Sequence, residues 1–212
     1  MDTFEVIYDI SVSLGAEAID WPGLLPYSRE LILRIENGDA ANLSKLVMTA
    51  HAGTHLDTPA HFIPNGKNLD GYSAKDFVLP AQVVIIEDKQ IIRSSELQNL
   101  DIEPGDALLF KTYNSTSGQC ANGVFTENFV EMSLEAADFC VGKKVSLLGI
   151  DYNSIEKDVK SHPVHNKILG NGILILESIN LKEVPPGRYT LFCPPLKIKG
   201  AEGSPARAIL MC

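Results

Sequence analysis

No apolar stretch in the sequence approaches the roughly 20 residues that a helix needs to cross a bilayer, so no membrane-spanning helix is expected. Residues 1–5 are acidic and lack the basic and then apolar pattern of a signal peptide. The cysteines are far apart and show no CxxC or zinc-finger spacing; they are Cys120, Cys140, Cys193 and Cys212. These absences predict a cytoplasmic protein with ordinary thiols and no membrane partner.

The sequence also has no run of Lys or Arg, and its net charge is −9. A surface of this sign repels phosphate backbones, which disfavours nucleic acid as a partner. The GxGxxG turn of dinucleotide-binding folds is missing, as is the GxSxG nucleophile elbow of serine hydrolases. A Rossmann fold and serine-type hydrolysis are therefore disfavoured.

The chain does contain enough apolar material for one core. It has 212 residues, of which 45% are apolar, and no internal repeat or linker-like tract interrupts it. This length suits one domain and is short for two, so residues 1–212 are expected to form a single domain. Short apolar runs bounded by Gly, Pro or charged residues predict interior strands; these runs are 81–86, 107–110, 145–150 and 173–176.

The remaining pattern predicts a mixed α/β architecture. Alternation of apolar and polar residues predicts a first strand, and two further segments resemble closing strands; these are 5–13, 189–193 and 206–211. Two helices are predicted at 94–99 and 127–140, the second with Thr126 as N-cap and Gly142 just past its end. The expected fold class is α/β, a single compact domain with a strand-rich mixed β core flanked by helices.

A hairpin is predicted on either side of Asn37-Gly38, a strong turn signal. Residues 31–36 alone are ambiguous between strand and helix, whereas 43–50 resembles a returning strand. The turn signal favours the hairpin.

All five histidines fall in two short windows of the sequence. His51, His55 and His61 lie within eleven residues, and His162 and His165 lie in another short stretch. Histidines scattered through a core would not cluster in this way. The two windows therefore mark the candidate functional site.

The first window, HAGTHLDTPAH over residues 51–61, does not suit a helix. On a helix, Asp57 would lie about 240° round from His51 at ~100° per residue, and Gly53 and Pro59 weaken helices. In an extended chain, positions 51, 53, 55 and 57 face one side. A straight strand would hold His51 and His55 about 13 Å apart, too far for two imidazoles on one ion at ~2.0–2.1 Å. A bend at Gly53 is therefore predicted.

Two histidines and a carboxylate suit Zn, Mn or Fe, and three protein ligands leave positions open for water and substrate. An open metal site built on His51, His55 and Asp57 implies chemistry; a histidine cluster without metal is the alternative. Glu177 closes the apolar run 173–176, where a buried carboxylate needs a partner such as a metal. The alternative there is an exposed charge just past a strand end.

The string HAGTHLDTPAHF resembles the signature HxGTHxDxPxH of the cyclase family of metal-dependent hydrolases, which includes bacterial kynurenine formamidases and isatin hydrolases. Every fixed position of that pattern matches. Residues 148–151, Leu-Gly-Ile-Asp, and the spacing from His165 to Glu177 are also similar to the family. The likeness extends from the first strand to the C-terminal strands.

The resemblance implies a first metal held by three residues and a second site that shares one of them. His51, His55 and Asp57 match the first ligands, and His165 and Glu177 complete the second site, with Asp57 bridging. Family members use two zinc ions or one manganese ion. The resemblance therefore leaves two points open for this chain: whether the metal is zinc or manganese, and whether each subunit binds one ion or two.

The resemblance also implies roles for two other residues and an assembly. His61 matches a catalytic acid/base, and its ordinary pKa near ~6.5 suits proton transfer. Trp21, the only tryptophan, lies in an aromatic-Pro-Gly element that can line the substrate pocket or pack structurally. The family fold is a compact, swivelling β/β/α-like domain, and a homo-oligomer, dimer or tetramer, is expected.

The expected function is that of an amidohydrolase of the arylformamidase type. Its small-molecule substrate would be N-formylkynurenine, converted to kynurenine and formate by metal-activated water. One alternative keeps the site but hydrolyses a cyclic amide such as isatin, or a lactone. Another is a cyclase or dehydratase acting on a polyketide-like carbonyl compound. A non-catalytic metal-binding protein is disfavoured. The first metal needs only His51, His55 and Asp57 as ligands, so the presence of His61 is better explained by catalysis.

Overall fold

Strands dominate the computed structural model, which describes residues 6–212. The strands are β1 (Ile7–Asp9), β2 (Ser28–Leu33), β3 (Leu43–Val47), β4 (His55–Asp57), β5 (Val78–Ile85), β6 (Ile91–Ile92), β7 (Ala107–Lys111), β8 (Glu131–Met132), β9 (Leu147–Ile150), β10 (Leu174–Glu177), β11 (Gly187–Phe192), β12 (Gly203–Pro205) and β13 (Ile209–Met211). The α-helices are α1 (Tyr113–Thr116), α2 (Leu134–Lys143) and α3 (Pro163–Gly170). Short 3-10 helices cover Ile35–Asn37, Pro59–His61, Leu69–Gly71, Ala74–Phe77, Ser94–Glu96 and Gln119–Ala121.

Within the described residues, nine strands form one mixed sheet in the order β1-β13-β11-β5-β7-β9-β10-β4-β12. The four central strands β5, β7, β9 and β10 are parallel to one another, and the outer strands pair antiparallel. Parallel strands buried on both faces carry near-continuous apolar runs, which is why the sequence showed them. The predicted α/β class with a strand-rich mixed core is confirmed.

Alternate residues of the central strands feed two separate cores. In β7, Leu108 and Phe110 pack on the face that carries α2 and α3, whereas Ala107 and Leu109 pack on the opposite face. Four predicted interior strands are present, although β5 begins earlier than expected, at Val78. The sequence hides this start because Pro80 cannot donate to a ladder, and pairing with β7 begins only after it.

The helix predicted over 127–140 is present as α2, but it begins later, at Leu134, and includes Gly142, so the predicted start, the Thr126 N-cap and the predicted end are wrong. Glu131 and Met132 instead form β8, and Ser133 caps α2 by accepting a hydrogen bond from the Ala136 backbone N–H at 3.1 Å. Thr126 is held by Tyr152, whose hydroxyl bonds both its N–H and its carbonyl. Within the described residues, no helix combines the length and apolarity needed to cross a membrane.

Two other helical segments also differ from the prediction. Residues 94–99 form only the 3-10 helix Ser94–Glu96, which the Glu96 carboxylate closes by accepting the N–H of Arg93 at 3.4 Å. Helix α3 was not predicted, although Pro163 at its first position and Gly172 beyond its end are ordinary boundary signals. This helix carries one of the two histidine windows.

The predicted hairpin is confirmed as β2 and β3, which pair only with each other among the described residues. Its turn is longer than Asn37-Gly38 implied, because the 3-10 helix Ile35–Asn37 intervenes before Gly38 adopts φ +92°. The strand predicted over 5–13 is reduced to Ile7–Asp9, and position 5 lies outside the described residues.

Strand β4 brings the first histidine window into the sheet. It lies between β10 and β12, antiparallel to both. The register places His55 directly opposite Glu177, and Asp57 opposite Gly203 on the other neighbour. Two sequence segments more than a hundred residues apart therefore meet at one point of the sheet.

Candidate metal centre

The bend predicted at Gly53 is present, in a turn that comes just before β4. Gly53 adopts φ +62°, and a Cβ there would lie 2.7 Å from a methyl carbon of Leu14. The turn brings His51 Nδ1 to 2.7 Å from Asp57 Oδ1, and the His51 and His55 ring centroids are 5.0 Å apart. Both histidines can therefore reach one centre, as the sequence required.

His55 is held so that one nitrogen faces two carboxylates. Its Nδ1 lies 2.7 Å from the carbonyl oxygen of Gly53, which accepts its hydrogen bond. Its Nε2 lies 3.5 Å from Asp57 Oδ1 and 3.5 Å from Glu177 Oε2. All three side chains are at most 5% exposed. The geometry thus groups His55, Asp57 and Glu177 as possible ligands of one ion.

Helix α3 brings His165 to the same carboxylates. His165 Nε2 lies 3.3 Å from Glu177 Oε1 and 3.9 Å from Asp57 Oδ2. The helix begins after His162, whose backbone is left-handed at φ 46°, a conformation that costs energy for a non-glycine residue and is frequent at functional sites. The five residues predicted as metal ligands thus converge on one place.

His61 lies beside this cluster, in the 3-10 helix that follows β4. Its ring stacks on His51 with centroids 4.0 Å apart and planes 24° apart. A nitrogen of His61 also lies within 4.8 Å of ligand atoms of His51 and Asp57. The position allows His61 either to exchange protons at the cluster or to join it as a ligand.

A glycine on β12 makes room for His51. A Cβ at Gly203 would lie 2.8 Å from His51 Cε1 and 2.8 Å from the Leu56 carbonyl oxygen, closer than van der Waals contact allows. Next to it, Glu202 places Oε1 3.4 Å from His51 Nε2. Neither Glu202 nor Gly203 was predicted from the sequence, because nothing in the sequence pattern links them to the histidine windows.

Electrostatics in the cluster are set by its buried carboxylates. Burial lowers the pKa of His51, but the adjacent Asp57 carboxylate outweighs this and raises it to about 9. Burial likewise opposes protonation of His165, but Glu156 and Glu177 raise its pKa to about 10. Burial raises the pKa of Asp57, yet the neighbouring His51 holds it well below its usual range. The carboxylates therefore stay ionised and attract positive charge.

His61 behaves in the opposite way. Burial lowers its pKa to about 4, and the opposing effect of the Asp57 carboxylate does not cancel this. The ordinary value near 6.5 expected from the sequence is therefore wrong for this position. His61 is neutral at pH 7 and has a nitrogen free to accept a proton.

The residues present fit a divalent cation. Asp57 Oδ1 and His51 Nε2 are buried and accept or donate no well-aligned hydrogen bond among the described residues, although Oδ1 lies only 2.7 Å from His51 Nδ1. Ligand atoms on one tetrahedral ion lie about 3.3 Å apart when each is at ~2.0 Å, close to the 3.3–3.5 Å spacings around His55, His165 and Glu177. Imidazole and carboxylate ligands suit Zn and Mn.

A cavity of about 260 Å³ opens above the cluster. The sequence-predicted Trp21 lines it, packed edge-on against Phe125 with ring centroids 5.1 Å apart. Sequence reasoning missed most of the apolar wall, because its members come from distant segments; they are Ile19, Leu24, Leu25, Phe62 and Val159. His162, whose role the sequence left open, also lines the cavity.

A model of the Cyclase family matches residues 8–157 of this chain. The kynurenine formamidase of Bacillus mycoides (strain KBAB4) is 34% identical over 203 residues, which cover 95% of each protein. The chain belongs to the Cyclase family. The family predicted from the HxGTHxDxPxH signature is thereby confirmed.

Solved cyclase-family folds superpose closely. A structure described as a potential metal-dependent hydrolase with cyclase activity has a TM-score of 0.84 and 29% identity, and covers 97% of both chains. Isatin hydrolase A from Labrenzia aggregata, bound to benzyl benzoate, has a TM-score of 0.80 and 23% identity. It covers 97% of this chain and 93% of its own. That second likeness shows the shared fold alone.

Metal binding should release protons from the cyclase-family site. A histidine must be neutral to ligate a metal, and the raised pKa values of His51 and His165 keep both protonated in the metal-free protein up to about pH 9. Loading both metal positions with zinc at pH 8 should release about two histidine protons per chain, one from His51 and one from His165. Calorimetry in buffers of different ionisation enthalpy measures this number.

Histidines at their ordinary pKa of 6.5 would already be neutral at pH 8, so a release near zero would contradict the prediction. His165→Ala should release about one proton fewer than the unmodified chain, which separates histidine protons from those of bound water. The histidine contribution should decline as the pH rises through 9 to 10.

Proposed function

We propose that this chain is a metal-dependent amidohydrolase of the arylformamidase type, which hydrolyses N-formylkynurenine to kynurenine and formate. The observation that carries the proposal is the convergence of two buried carboxylates and three histidine rings beneath an apolar cavity. Similarity to kynurenine formamidases over 95% of the chain supports the choice of substrate. The proposed active site of this chain is the cluster of histidines and carboxylates described above.

In this proposal, His51, His55 and Asp57 hold a first divalent ion, zinc or manganese. His165 and Glu177 hold a second, with Asp57 between the two positions. When bound, the metal polarises the formyl carbonyl and lowers the pKa of a water molecule from 15.7 toward about 7. The spacings within each set support this assignment: Asp57 Oδ1 lies 2.7 Å from His51 and 3.5 Å from His55, and His165 Nε2 lies 3.3 Å from Glu177 and 3.9 Å from Asp57.

His61 is the proposed proton carrier. A neutral imidazole can accept a proton from the attacking water, and the pKa of His61, which burial lowers in the metal-free protein, makes the ring give that proton up readily. It can then return that proton to the leaving nitrogen, which must be protonated before the amine departs. Its stacking against His51 keeps the ring at the edge of the cluster, where the water and the scissile bond would meet.

The apolar wall is proposed to orient the aryl ring of the substrate. Trp21 is fixed by its edge-on contact with Phe125, and Leu24, Leu25 and Phe62 complete the surface near it. A substrate ring seated on this wall would displace water from it and strengthen the electrostatic interactions beneath. Trp21 is the proposed substrate-binding residue.

A cyclic amide or lactone is the second candidate substrate. Among the described residues, no Lys or Arg lines the cavity. A neutral ring compound such as isatin needs no charged partner, whereas N-formylkynurenine carries an amino-acid group. This feature favours the alternative, and both compounds belong in the same assay.

We further propose that the protein is a homo-oligomer. Seven large apolar side chains on and beside the hairpin are at least 39% exposed, namely Leu24, Leu25, Ile32, Leu33, Ile35, Leu43 and Leu46. A patch of this kind normally marks an interaction surface. A second copy that covers it would also close the cavity beside Leu24 and Leu25.

The remaining proposals concern the whole chain. The main sheet pairs β1, from near one end of the chain, with β13, from near the other, which supports one domain over residues 1–212.

All four cysteines are unpaired, and three of them are buried. This supports a reducing compartment such as the cytoplasm.

Formate release tests the proposed function. Protein stripped of metal and reloaded separately with zinc or manganese should release formate from N-formylkynurenine only when metal is present. Asp57→Asn should lower kcat/KM by at least ~100-fold, because it removes the carboxylate common to both metal positions. Isatin hydrolysis is measured in parallel.

The matched control is Asp70→Asn, which makes the same change at an exposed position outside the cavity and should retain full activity. Metal-loaded protein that hydrolyses isatin but not N-formylkynurenine would shift the assignment to the cyclic substrate. Protein with verified metal content that hydrolyses neither compound would refute both candidates.

His61→Gln tests the proton carrier. Glutamine preserves size and polarity but cannot transfer a proton, so kcat should fall by ~10²–10⁴-fold while metal content stays unchanged. Steady-state kinetics and elemental analysis of the same sample measure both quantities. Loss of metal along with activity would identify His61 as a ligand instead.

Light scattering tests the oligomer. The chain mass is 23.1 kDa, and the expected particle mass is two or four times that value. Ile32→Asp in the exposed strand of the hairpin should lower the mass by inserting a charge into the proposed interface. A single-chain mass for the unmodified protein at micromolar concentration would contradict the proposal.

A further inference from the structure

Glu156 is a buried carboxylate that the proposed chemistry does not use. It lies on the segment between β9 and α3 and is 3% exposed. Among the described residues, no Lys or Arg pairs with it. A buried charge needs compensation, and the partners of Glu156 show where it comes from.

Both oxygens of Glu156 bind the start of α3. Oε1 lies 2.5 Å from His165 Nδ1 and accepts the backbone N–H of His165 at 3.1 Å. Oε2 accepts the backbone N–H of Val164 at 2.8 Å. The first N–H groups of a helix have no partner within it. One carboxylate therefore anchors the helix turn and the imidazole that the turn carries.

This contact determines which nitrogen of His165 faces the metal centre. An ionised carboxylate only accepts hydrogen bonds, so His165 Nδ1 carries the proton that points at Glu156. Nε2 is then directed toward Glu177 Oε1 at 3.3 Å and Asp57 Oδ2 at 3.9 Å. Metal-ligating histidines commonly have their second nitrogen bound in this way.

The segment that carries Glu156 also holds Glu177, the other proposed ligand of the second metal position. The backbone N–H of Ile155 donates to Glu177 Oε1 at 2.8 Å. The Ser154 hydroxyl donates to the Glu156 backbone carbonyl at 2.8 Å, and this local hydrogen bond stabilises the turn of the segment. Consecutive residues, Ile155 and Glu156, thus support Glu177 and His165 respectively.

We infer that Glu156 is a positioning residue, which fixes the ring orientation and tautomer of His165 so that Nε2 is presented to the second metal position. The inference rests on the proposed function only in assigning His165 to a bound ion. It requires nothing of the substrate. Glu156 itself would touch neither metal nor substrate.

Nitrogen-15 NMR of the histidine rings in the unmodified, zinc-loaded protein gives the most direct test. His165 should show a protonated Nδ1 and an Nε2 resonance that shifts when zinc is added. A protonated Nε2, or a His165 ring unaffected by zinc, would overturn the inference. This measurement does not depend on whether any variant folds.

Zinc affinity supplies the second test, by competition with a chromophoric chelator. In E156Q the amide nitrogen cannot accept an N–H, so one anchor is lost and the ring loses its charged partner. The affinity for the zinc that His165 helps to hold should fall by ~10–100-fold, while the zinc held by His51, His55 and Asp57 is bound as in the unmodified chain.

E131Q is the matched control. Glu131 also accepts a backbone N–H, that of Lys157 at 2.8 Å, and pairs with the Lys157 ammonium at 3.6 Å, but it contacts no histidine. It should bind zinc within about twofold of the unmodified chain. Equal zinc affinity in E156Q and E131Q would overturn the inference.

Formate release by the unmodified chain is scored separately. If the unmodified chain releases no formate, the proposed substrate is refuted and the role of Glu156 still stands. A zinc affinity independent of Glu156 in an active formamidase would refute the positioning role alone.

Discussion

The antiparallel pairing of β4 with β10 forces Asp57 and Glu177 into a region almost closed to water. Asp57 is 1% exposed and Glu177 is 4% exposed. Two carboxylates in such surroundings would be strongly destabilising if left alone. The turn at Gly53, the position of α3 and the glycine on β12 all serve to bring positive or ligating groups to them. The rest of the site follows from the need to compensate these charges.

Local sequence pattern was sufficient for much of the fold and for naming residues that the fold brings together as proposed ligands. The apolar runs of β7, β9 and β10 gave strands close to their true bounds, because strands buried on both faces leave a continuous signal. The bend at Gly53 followed from the reach of two imidazoles toward one ion. These inferences depended on neighbours in sequence, for which spacing and geometry are directly linked.

Long-range partners could not be found in this way. The helix predicted over 127–140 was placed too early at its start, because residues 131–132 pair with β6 and Ser133, not Thr126, caps α2. Glu156 resembles any other acidic residue until α3 is placed against it. The lowered pKa of His61 likewise arises from its burial in the folded chain, which the spacing of residues does not show.

The register of β4 against β10 has a consequence for the order in which the chain folds. His55 and Glu177 are opposite one another yet separated by more than a hundred residues, so closing this contact carries a large entropic cost until the parallel strands between them have formed. The metal centre can form only after these strands have brought the two segments together. Stabilisation gained after the rate-limiting step of folding slows unfolding and leaves the folding rate almost unchanged. A bound ion whose site forms after that step would therefore prolong the lifetime of the native state.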